Sequence, residues 1–405
     1  MPKEEIFNEP ESSSDEEDPI IDEDTCNQFE IGSSFGIKYK IASESAVSLK
    51  KVYILSLCAD KSFGKIAAGL SNNSVQVYDI NNRVLSLATN DTLKLKTSGS
   101  VCGVRFLDET PTNLLVGSTN GSVSLYDLRT GNVEHSFQDT SDEVKKPITS
   151  FDVNANSRVI CSGTDQVMNN VYLQFFDVRQ KTILGGYFES HQDDVTDVKF
   201  HPTNPDLLCT GSTDGLINLF DISATSEDDA LTSTINTEES VHKLNWHKNV
   251  YEKDVISCIT HTNDLKTYEC EEGDLIAEFD RTKVTEAIKR KSVADCNLIS
   301  CHNLSDGGVF VLATSNYNKG EVVRSVQLQG KKLVPHALFD GNKQILRESL
   351  HDPTSNLVVT GGESGIVTLW TPYLADKTLP TTTGPNKLKA KSSLAKSHGK
   401  GKAPY

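Results

Sequence analysis

No apolar run in this chain approaches the roughly 20 residues that span a bilayer as a helix; the longest lies around Val52–Ala59. Met1–Asp24 also lacks the basic start and apolar middle of a secretory leader, so an intracellular protein with no membrane partner is expected. Paired cysteines are missing as well. The nine cysteines are scattered, odd in number and never spaced C-x-x-C, which excludes a disulfide scaffold. Several, such as Cys161 and Cys209, sit in strand-like apolar runs and read as small core hydrophobes. Cys296, Cys301 and His302 offer too few ligands at uneven spacing, so no metal is expected. The chain has no G-x-x-x-x-G-K, no G-x-G-x-x-G and no H-E-x-x-H. Neither an enzyme nor a cofactor is therefore expected.

What charge there is gathers at the ends. Residues 1–24 hold eleven acidic residues and one lysine, and residues 376–405 hold seven lysines and one aspartate. The net charge of -16 thus divides into about -10 for the head, -12 for the body and +6 for the tail. An acidic body argues against binding duplex DNA, since that binding depends mostly on phosphate neutralisation.

The chain also repeats itself. Gly117–Leu128 (GSTNGSVSLYDL) recurs as Gly211–Ile222 (GSTDGLINLFDI), as Gly69–Ile80 (GLSNNSVQVYDI) and as Gly361–Trp370 (GGESGIVTLW). Each copy reads as a hairpin, with a polar turn that tolerates positive φ followed by period-two alternation into an aromatic. A looser copy ends at Phe176 and two degenerate ones end at Tyr268 and Ser325. Counted on positions 78, 126, 176, 220, 268, 325 and 370, the spacings are 48, 50, 44, 48, 57 and 45 residues. They are near or above the ~40 to 45 of a four-stranded propeller blade. The pattern predicts an all-β, seven-bladed propeller over residues 35–374, between a disordered acidic head (1–34) and a disordered basic tail (375–405). The last unit lacks a fourth strand, and Phe35–Ile41 alternates as a spare one, so an N-terminal strand is expected to close the ring.

His191–Asp221 resembles a WD40 repeat, and weaker likeness extends over about residues 35–374. The resemblance implies a monomeric, non-catalytic platform that works within complexes with other proteins. It also implies a structural hydrogen-bond chain through His191, Thr210, Asp214 and Phe220. Phenylalanine has no N–H to complete that chain, and Trp370 alone keeps the indole at this position.

Four features are candidates for binding or modification. Ser13 and Ser14, each with an acidic residue three positions on, resemble the substrate pattern of an acidophilic protein kinase. The tail lysines from Lys387 to Lys402 suggest nuclear import, hence a location in nucleus and cytoplasm. Asp139, Asp142, Glu143, Glu189, Asp193, Asp194, Glu238 and Glu239 fall in loops that propeller topology places on one rim, beside a basic loop containing Lys289, Arg290 and Lys291. Such a rim suits a basic client such as a ribosomal protein or histone. Arg129 and Arg179 end two aromatic-Asp-x-Arg motifs, which resemble those that dock some WD40 proteins onto a cullin-type ubiquitin ligase adaptor. Each feature also has a plain reading as solvated surface charge.

Overall fold

The computed structural model describes residues 23–88, 95, 96, 99–107, 110–141 and 144–373. Period-two segments separated by tight turns can bury one face only by packing sheet on sheet, and that is the architecture seen here. One sheet runs Ile54–Ala59, Lys65–Leu70, Ser74–Asn81 and Val84–Leu87, with Leu95–Lys96 added beside Ser74–Asn81. Four further sheets have four strands each; the fourth sheet in chain order is Val195–Phe200, Leu207–Ser212, Leu216–Asp221 and Leu231–Asn236. The first strands of successive sheets pack side by side around a central channel, and Leu346–Asp352 returns to Ile54–Ala59 to complete the circuit. The apolar clusters lie between neighbouring sheets.

The expectation of seven separate blades needs correction. Five sheets stand alone as blades, and the remaining strands form one continuous sheet of eight. The cause is the N-terminal strand, Ile37–Ala46, which uses both of its edges. On one side it pairs antiparallel with Ile366–Tyr373, and on the other it pairs parallel with Lys332–Asp340, Ile37 opposite Ala337. Aromatic packing supports the join. Tyr39 stacks on Phe339 at 4.5 Å, and Phe339 meets Trp370 edge-on at 5.4 Å.

The folded part also begins earlier than composition suggests. Asn27 caps the helix Gln28–Ser34 in a capping box with Glu30, so residues 23–34 are not part of an unstructured head. The assignments for residues 1–22 and for the tail lie outside the described residues.

The repeat glycines have a steric role. A Cβ on Gly211 would lie 2.4 Å from Val241 Cγ1 on the first strand of the next blade. Gly69, Gly117, Gly163 and Gly361 meet Val101, Phe151, Val195 and Ile54 in the same way. In the fifth blade Ile259 holds the register position of Gly211, and there the core includes the smaller Cys296. Gly211→Ala is expected to cost about 1–3 kcal/mol through overpacking, read as a lower denaturation midpoint. An unchanged midpoint would show that the blades can separate freely.

Candidate functional site

Strands alternate direction within a blade, so the second-to-third-strand turns and the connections between blades share one rim. The third-to-fourth-strand turns emerge on the other. The first rim is best organised around the fourth blade. Asp214, in the turn after Leu207–Ser212, accepts from His191 Nδ1 at 3.1 Å and from the amides of Gln192 and Leu216 at 3.0 and 2.9 Å. Burial raises the Asp214 carboxyl pKa, but the His191 hydrogen bond and the two amides outweigh it and hold the group ionised below its usual range. With the proton on Nδ1, His191 Nε2 accepts from the Thr210 hydroxyl at 2.8 Å. Phe220 is fully buried and contributes packing alone.

Asn218, which the sequence did not single out, lies beside that chain, its Nδ2 3.4 Å from His191 Nε2. Its Nδ2 donates to the Ser190 carbonyl at 2.6 Å and its Oδ1 accepts from Thr234 at 2.8 Å.

The acidic residues divide into two groups. Asp139, half-buried, forms an ion pair at 2.5 Å with the buried Lys146 and also accepts from Gln174 at 3.3 Å; the Lys146 ammonium lies 4.6 Å from the Tyr172 ring centre. Burial pushes the Asp139 pKa up, yet the Lys146 and Ser141 hydrogen bonds bring it down to about 2. Asp194 accepts from the Gln166 amide at 2.7 Å. Glu239 is held by Thr262 and lies 3.9 Å from Lys266. These three carboxylates are occupied internally. Glu189, Asp193 and Glu238, by contrast, are exposed. Asp142 and Glu143 lie outside the described residues, as do Ser13 and Ser14.

The basic loop of the same rim is partly neutralised by the chain itself. Arg290 pairs with Asp24 at 2.8 Å and Lys291 with Glu23 at 2.9 Å.

Arg129 and Arg179 lie on the opposite rim, in equivalent turns. The aspartate of each motif braces its own turn, with Asp127 Oδ1 accepting from the Arg129 amide and Asp177 Oδ1 from the Arg179 amide, both at 2.8 Å. Arg129 also pairs with Asp127 at 3.1 Å, but its side chain stays 80% exposed, so the pair contributes little to stability.

Between the rims runs a channel of about 630 Å³ lined by the first strands. Its charged groups tie one strand to the next. Arg105 pairs with Asp152 at 2.7 Å, Asp197 accepts from the Leu244 amide at 2.9 Å, and Lys243 donates to the Ile299 carbonyl at 3.0 Å and reaches past that strand to pair with Glu348 at 2.9 Å. Among the described residues no His, Cys, Asp or Glu group is arranged to hold a metal, and no helix is long and apolar enough to cross a membrane.

Comparison with known proteins agrees with this geometry. Residues 183–221 match the WD domain, G-beta repeat model, which takes in the outer strand of the third blade and the first three strands of the fourth. The chain is 23% identical over 332 residues to WD repeat-containing protein 89 homolog of Dictyostelium discoideum, covering 82% of this chain and 86% of that one. It is 25% identical over 322 residues to an uncharacterized WD repeat-containing protein of Saccharomyces cerevisiae, with 75% of each chain covered. A third WD repeat-containing protein, from Schizosaccharomyces pombe, is 23% identical over 282 residues, or 67% of this chain and 83% of that one.

Proposed function

We propose that this WD-repeat protein, similar over most of its length to WD repeat-containing protein 89 homolog, is a protein-interaction scaffold that escorts a basic client on its acidic rim. The observation that carries this reading is the exposure of Glu189, Asp193 and Glu238 around the fourth blade, while their acidic neighbours are already paired. Exposed carboxylates of one sign accelerate encounter with a cationic segment, and fixed loops give that segment a register. A ribosomal protein or histone has the required charge, and either client would place the scaffold in nucleus and cytoplasm.

Glu189→Lys, Asp193→Lys and Glu238→Lys in one chain should remove basic proteins from affinity captures. Stability should change by no more than about 0.5 kcal/mol for each site, because the sites are exposed. An unchanged set of captured proteins would refute the client reading. The second reading, reception of substrates for a ubiquitin ligase, is favoured by one observation, the exposed guanidinium of Arg129 in its turn. The same captures test it: recovery of the ligase adaptor, lost on Arg129→Ala with Arg179→Ala, would support it over the escort role.

A further inference from the structure

Residues 23–35 lie outside the sheets yet are anchored along their length. Asp24 Oδ1 takes Arg290 Nη1 at 2.8 Å and Arg324 Nη2 at 2.7 Å. The two arginine side chains are only 6% and 7% exposed. Arg324 also donates to the Ile288 carbonyl at 2.6 Å, which fixes the fork facing Asp24. Backbone pairing sets the register, since the Thr25 amide donates to the Lys289 carbonyl and the Lys291 amide to the Glu23 carbonyl, both at 3.0 Å. After the Asn27 cap, the helix Gln28–Ser34 buries Ile31, and Phe35 follows, each 2% exposed. The Arg324 guanidinium sits 5.6 Å from the Phe35 ring centre.

Two guanidiniums buried side by side repel each other and lose hydration, so the pocket requires a carboxylate or an equivalent anion. A strand-like acidic residue, a helix cap and two apolar anchors form the kind of ligand that a peptide-binding groove reads. We infer that Arg290 and Arg324, with the apolar seats of Ile31 and Phe35, form a recognition site for an acidic helical peptide, filled in this structure by the chain's own residues 23–35. The site is independent of the acidic rim proposed above. Its position on the loop Lys289–Lys291 means that emptying it would uncover positive charge beside that rim.

The experiment uses the full chain and a fluorescent synthetic peptide of residues 21–36. The wild type should bind the peptide poorly, because the covalently linked copy outcompetes it. The Asp24→Arg chain should bind it at least tenfold more tightly, and a peptide carrying Asp24→Asn should bind that chain at least tenfold more weakly. Millimolar peptide added to the wild type should speed hydrogen exchange at the Thr25 amide, a readout that needs no variant to fold. The inference is overturned if the peptide leaves Thr25 exchange unchanged, if both peptides bind alike, or if Asp24→Arg releases residues 23–35 without creating a binding site.

Discussion

Tyr39→Ala is expected to destabilise the whole propeller by about 3–5 kcal/mol, the cost of truncating a large, fully packed aromatic. Tyr39 is 2% exposed, stacks on Phe339, and belongs to the strand that joins Lys332–Asp340 to Ile366–Tyr373. Its loss therefore opens a cavity at the seam where the chain's beginning meets its end. A strand paired on two edges leaves no local way to relax. If the eight-stranded sheet is one cooperative element, the denaturation midpoint should fall while the transition stays single. Val133→Ala, on a half-exposed outer strand, is the control and should cost under about 0.5 kcal/mol. A shift below about 1 kcal/mol for Tyr39→Ala would mean that the N-terminal strand merely rests on the sheet.

That seam also marks where reading the chain succeeds and where it stops. The hairpin of Gly211–Ile222 announces itself because side chains carry the information: a turn glycine, period-two alternation and a terminal aromatic. The turn falls between Leu207–Ser212 and Leu216–Asp221, as that pattern implies. The alternation in Phe35–Ile41 likewise indicates a strand, but pairing is made by backbone groups that look the same in every residue. A strand's pattern therefore says which face is buried and nothing about how many edges are used. The helix Gln28–Ser34 was legible in Asn27 and Glu30, the cap and its partner three positions on, but the charge of the preceding acidic run obscured it.

Charge counting misled at the candidate site for a related reason. Asp139 looks like rim charge until Lys146 folds back onto it, and Asp194 until Gln166 reaches it from the neighbouring blade. A count of carboxylates cannot separate those offered to a partner from those consumed by the fold. Asn218 was missed because a single asparagine in a strand carries no pattern. Its partners, the Ser190 carbonyl, His191 Nε2 and Thr234, come from a loop and a strand that residue spacing does not bring together.

Lowering the pH from 7 to 5 is expected to remove several kcal/mol of stability, well before most carboxylates titrate. The cause is a set of histidines folded in the neutral form. Burial first, then the neighbouring His351 and Lys243, lower the His302 pKa from 6.5 to about 3. Burial likewise lowers His242, His247 and His336 to about 4, with Lys243 and His261 adding to the effect at His242 and His351 at His336. Two of these rings, His302 and His336, share one cluster with His351, each of the three within 5.1 Å of the Phe310 ring. Below pH 6.5 the unfolded chain takes up protons on these histidines while the folded chain does not, so unfolding becomes coupled to proton binding. The stability they permit is complete above the unfolded pKa of 6.5 and is lost as pH falls towards 4, at about 1–2 kcal/mol for each ring by pH 5. Urea titrations at pH 7, 6 and 5 should give a steadily falling unfolding free energy, and His302→Gln should flatten the slope by about one proton. A flat profile from pH 7 to 5 in the wild type would show that these rings are solvated in the folded chain.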